Sequence, residues 1–164
     1  MAGLDFNTLN TTLLALMNKT IPGGRIWDHN KIDFLQMQAD EAYKDDSGLI
    51  NAWIFRRVRI QDILDSQASQ DGFDEVIATN HFWAFEYWRE LGDTADARRT
   101  SERAFQTQID TVRAAFAADN TLGLGPVVSH GGLQTLQDIG KPKAVADGIA
   151  HYAIFLLRVW TGDC

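Results

Sequence analysis

The chain has 164 residues, 45% hydrophobic and 23% charged, the proportions of an ordinary globular protein and most simply of one domain over residues 1–164. Its formal net charge of −7 works against wrapping nucleic acid, because such binding neutralises phosphates with Lys and Arg. No stretch approaches the roughly 20 apolar residues that cross a bilayer, and the start MAGLDFNTLN lacks the basic-then-apolar order of a secretory signal.

In chain order, Phe6, Leu9, Leu13, Leu16 and Met17 keep helical spacing behind Asp5, a capping residue type, until Ile21-Pro22-Gly23-Gly24 stops them. Gly24–Asp28 reads as a short strand. From His29 to Ser47 the pattern fits either a loop or a short helix over Leu35–Tyr43, and Asp40–Asp46 is acidic. Leu49–Ile63 has strand composition, with Trp53 and Phe55 on one face and Ile50, Ala52, Ile54, Val58 and Ile60 on the other.

Leu64–Asp74 is polar and turn-like, and Glu75–Leu91 is a second aromatic strand. Alternation gives that strand one face of His81, Trp83, Phe85 and Tyr87 and another of Phe82, Ala84, Glu86 and Trp88. The two runs make a long hairpin over about 49–91. Arms of about 15 residues at roughly 3.3 Å each reach on the order of 50 Å, so part of the ribbon should bend or project and meet a neighbour.

Asp93 or Thr94 caps the next helix, whose apolar stripe is Phe105, Ile109, Val112 and Phe116. Asn120–Pro126 breaks it, and Val127–Ile139 holds a short strand or two around Gly131-Gly132. Lys141-Pro142-Lys143 turns the chain. Ile149–Trp160 is a last strand, apolar on both faces, which belongs inside a sheet or between subunits. The order of elements is that of an α+β fold: an antiparallel or mixed sheet, a long hairpin, and two main helices on one face.

Catalytic and metal-binding patterns are missing from the sequence, so neither chemistry nor a cofactor is expected. His29, His81, His130 and His151 show no helical ligand spacing, and the single cysteine, Cys164, reads as inert. Gly123-Leu124-Gly125-Pro126 follows a helix and lacks the form of a phosphate loop. Asp65–Val76 has Gln70 and Val76 where a calcium loop needs Gly and Glu. Asp45-Asp46 and Asp74-Glu75 sit in polar loops, and Ser129-His130 lacks an orienting acid. Arg56, Arg57 and Arg59 form the one basic cluster, either a solvated face paired with acids or a contact for DNA or an acidic partner. Simple alternation sets Arg56 on one face and Arg57 and Arg59 on the other.

Three strings carry a resemblance: the strand Asn80-His81-Phe82-Trp83-Ala84-Phe85-Glu86, the helix with Phe105, Ile109 and Val112, and the ending Gly148-Ile149-Ala150-His151-Tyr152-Ala153 after Asn120-Thr121-Leu122-Gly123. In these, from Leu49 to Trp160, the chain resembles the tail-terminator and neck proteins of long-tailed bacteriophages. The resemblance implies a virion protein assembled in the host cytoplasm, a homo-oligomeric ring, six-membered on the usual pattern. Such a ring caps the tail tube protein, meets the head–tail connector or stopper, and lets DNA pass without tight binding. A stopper or tail-completion protein is the neighbouring reading. A small ligand-binding or enzymatic domain acting through His81 or His151 is the reading from another class. Five Trp and nine Phe are more aromatic area than a small monomer easily hides. Trp53, Phe55, Phe73, Trp83 and Trp160 are therefore expected at contacts between subunits or with the tube.

Overall fold

Each long helix starts at the cap its sequence offers. In the computed structural model, which describes residues 4–29, 34–65, 75–136, 143–145 and 148–162, the Asp5 carboxylate accepts the Thr8 N–H at 2.8 Å and opens α1 (Phe6–Thr20). Thr94 likewise accepts the Ala97 N–H at 3.1 Å and opens α3 (Ala95–Ala118). The turn before α3 needs a glycine, because a Cβ on Gly92 would lie 2.5 Å from that of Ala97. Between them come β1 (Arg25–Trp27) and α2 (Phe34–Ala39), then a single 3-10 turn over Glu41–Tyr43 capped by Asp40. The described part of that segment, 34–47, thus combines both expected readings, a short helix followed by a tight loop.

The hairpin is β2 (Asn51–Asp65) with β3 (Glu75–Glu90). Phe73 and the segment 66–74 fall outside the described residues. The last long strand, β7 (Gly148–Gly162), pairs antiparallel with β3 from Ala78↔Gly162 to Glu90↔Ala150. It therefore lies inside the sheet, which explains its apolar character on both faces. Its far edge is covered in pieces by β4 (Val128–His130), β5 (Gln134–Thr135) and β6 (Lys143–Val145). Since β1 runs parallel to β2, the sheet is mixed and the fold is α+β.

Two cores form, one on each face. On the first face, Leu9, Leu13 and Met17 of α1 and Phe105, Ile109, Val112 and Phe116 of α3 pack onto Trp53, Phe55, Trp83, Phe85, Tyr87 and Phe155. Ring contacts order this layer: Trp53 stacks on Tyr87 at 4.5 Å, Tyr87 on Phe105 at 5.0 Å, and Phe55 on Phe85 at 5.1 Å. On the second face, Met37 and Tyr43 cover only one end, over Ile50, Ala52, Ile54, Trp88, Ala150 and Tyr152. Both main helices thus lie on one face, as the patterning requires. The turn after α3 carries Leu122 at φ 54°, an uncommon angle for a non-glycine, and its side chain is buried in the first core.

Two sequence expectations are corrected here. Trp53, Phe55 and Trp83, expected at subunit contacts, are only 2%, 0% and 0% exposed within a single chain. Their face is the one the helices cover, so nothing of them is left for a neighbour. The register also slips between Arg57 and Arg59, making Val58 the extra residue of a β-bulge. Arg57 stands opposite Trp83, while Arg56 and Arg59 stand opposite Ala84 and Phe82. Directly opposed residues share a face. The outer face therefore holds Arg56 with Arg59, the helix-covered face holds Arg57, and Ile60, opposite His81, moves to the helix-covered face with it.

Candidate interaction surface

The outer face divides at Glu86, a residue only 1% exposed. Its carboxylate accepts the Tyr152 O–H at 2.6 Å and Arg56 Nη1 at 3.2 Å. Burial raises the Tyr152 phenol, and the hydrogen bond and charge of Glu86 raise it further, so it remains a donor. On one side of Glu86 lies the α2-covered cluster. On the other side the β2–β3–β7 rows run Arg56–Ala84–Leu156, Arg59–Phe82–Arg158 and Gln61–Asn80–Trp160.

No helix covers these rows among the described residues. Arg59 sits over the Phe82 ring at 5.6 Å, and Arg158 Nε donates to Asn80 Oδ1 at 3.0 Å. Trp160 is half-buried; its indole lies across Gly162, where a Cβ would fall 2.3 Å from the ring. Of the expected contact residues, then, Trp160, Arg56 and Arg59 come together here. Arg158 completes the patch and was missed. It is the only Lys, Arg, Asp or Glu in β7, an isolated cation in an apolar strand, and that signal was readable.

Arg57 lies under α1, its guanidinium 4.7 Å from the Phe6 ring, and Phe6 in turn stacks on Trp83 at 5.5 Å. Arg57 Nη1 donates to His81 Nδ1 at 3.3 Å, which leaves Nε2 carrying the proton toward Thr161 Oγ1 at 3.2 Å. His81 is thus a structural link across three strands. His130 ties the turn after α3, donating from Nε2 to the Asp119 carbonyl and accepting the Gly132 N–H at Nδ1. His151 is 2% exposed and stacks on Phe105 at 5.1 Å, with neither ring nitrogen hydrogen-bonded. Among the described residues no three His, Cys, Asp or Glu side chains gather as for a metal ion. No helix among them is long and apolar enough to cross a membrane.

The buried histidines make stability pH-dependent. Burial, aided by Arg57 and opposed by Asp62, holds His81 below its ordinary 6.5. Burial also lowers His151, with Glu102 opposing and Arg89 adding to the effect. The folded state binds these protons less readily than the unfolded chain, which takes them up near pH 6.5. Their contribution is therefore complete above that pH and is lost as pH falls through it, by at most about 1.4 kcal/mol per pH unit for each group. Urea midpoints measured from pH 8 to 5.5 should decline below pH 6.5, with His151→Leu showing a shallower decline. A midpoint that stays level across that range would contradict the assignment.

No protein-family model matches the chain, and no curated protein matches it.

Proposed function

We propose that this chain is a structural ring subunit of a bacteriophage tail or neck, capping the tail tube, meeting the head connector and leaving a passage for DNA. The hairpin is the observation that carries the reading. The strand β1 covers β2 only at Ala52–Ile54, so among the described residues β2 has an open edge from Phe55 to Asp65. At the far end, Glu75–Ile77 extend past the last β3–β7 pair at Ala78↔Gly162. Seven large apolar side chains are exposed among the described residues, and five of them lie here: Val58, Ile60, Leu64, Val76 and Ile77. A long open edge bearing aliphatic side chains is an aggregation hazard unless something covers it. A neighbouring copy or the tube would cover it, as a ring requires.

The test is to image tails made with and without the protein. Tails without it should lack density at the head-proximal end and fail to join heads; unchanged tails that join normally would refute the proposal.

A further inference from the structure

Along the three rows next to Glu86 the bare half of the outer face carries only cations, and Glu75, opposite Asp65, follows at the far end of the ribbon. Arg56 lies at the edge of that half, Arg59 and Arg158 are exposed, and the border carboxylate, Glu86, is buried and already engaged by Arg56 and Tyr152. Phe82 lies between Arg59 and Arg158, and Leu156 and Trp160 flank Arg158 along β7; all three are half-buried, and no helix among the described residues covers them. Such a face fits an anionic partner presented by a protein surface, with guanidinium groups for carboxylates and rings for packing.

Every copy of this chain offers that partner. The run Asp40-Glu41-Ala42-Tyr43-Lys44-Asp45-Asp46 holds four acids in seven residues, and Lys44 is already paired with Glu41 at 2.9 Å. Asp40, Glu41 and Asp46 are exposed. The run leads into the start of β2, whereas Arg59 stands nine residues beyond Ile50 along the same ribbon. At roughly 3.3 Å per residue that is about 30 Å. The acidic loop and the basic face thus lie well apart on one chain, the loop at the start of the ribbon and the basic face near its middle.

We infer that the bare outer face, centred on Arg59 and Arg158, receives the Asp40–Asp46 loop of a second copy of this chain. The two surfaces differ, so the contact is heterologous and repeats head to tail until it closes. The inference rests on the ring reading and names the surfaces that would join one subunit to the next.

The test is sedimentation velocity on the whole chain. Wild type should assemble, and assembly should weaken as salt rises from about 0.1 M to about 1 M, where the Debye length falls from about 10 Å to about 3 Å. Arg59→Glu/Arg158→Glu should weaken association by at least about tenfold, as should Glu41→Lys/Asp46→Lys. None of these four positions belongs to either core, although Arg59 rests on Phe82, Glu41 pairs with Lys44 and Arg158 donates to Asn80, and circular dichroism checks the fold. Arg59→Glu alone provides a milder variant that leaves that bond intact. Mixing the two double variants in equal amounts should restore assembly, because each then meets its complementary surface. Wild-type assembly that ignores salt and both double variants would overturn this contact and leave the ring intact. A salt-sensitive, variant-sensitive dimer would retain the contact and refute the ring. A wild type that stays monomeric would overturn both.

Discussion

Phe55→Ala is expected to destabilise the isolated chain severely, not merely to release one copy from another. The ring is 0% exposed, stacked on Phe85 and tilted against Trp83 at 6.1 Å, under both main helices. Removing a buried phenylalanine ring costs about 3–5 kcal/mol, since the space it leaves collapses only in part. A domain of this kind holds about 5–15 kcal/mol in all. The urea midpoint should therefore fall by a large fraction, or the protein should fail to fold. Val58→Ser on the open edge, by contrast, should change stability by no more than about 0.5 kcal/mol. Stability unchanged in Phe55→Ala, with association alone weakened, would return Phe55 to a subunit contact and contradict the packing described here.

Glu86→Ala should have the second largest effect. The substitution leaves the Tyr152 hydroxyl without its acceptor on a face where Tyr152 is 7% exposed, and it frees Arg56 beside it. Breaking a buried charged pair from one side costs about 3–5 kcal/mol. Arg56, whose side chain is 30% exposed, can still turn to water, so about 2–3 kcal/mol is expected. Glu86→Gln keeps an acceptor for the hydroxyl and should lose roughly half as much. Crossing it with Tyr152→Phe isolates the hydrogen bond: the two losses should be less than additive. An Ala variant within about 0.5 kcal/mol of wild type would show that the network contributes little.

Local chemistry made much of this fold legible. Asp5 and Thr94 are strong caps, and the Phe105–Phe116 stripe is regular. The alternation around Trp53 and Trp83 divides each strand cleanly between two faces. Alternation does not say which face the helices will cover, however, and that is why buried aromatics were expected at a contact. It also assumes an unbroken period of two, so the extra residue at Val58 reversed every assignment beyond it. The tiling of β7 by three short strands was only half legible. Gly131-Gly132 marked a break between strand pieces, but the pairing of β4 and β5 with residues 20 to 33 positions away leaves no local periodicity. Arg158 belonged to the patch by register with Phe82, a relation that appears only once the strands are paired.

The mass of the purified chain in solution tests the ring most directly. Light scattering across the micromolar range at low salt should find a closed species independent of further concentration, at six times 18.3 kDa, about 110 kDa, for a six-membered ring. A single species of 18.3 kDa at every concentration would contradict it.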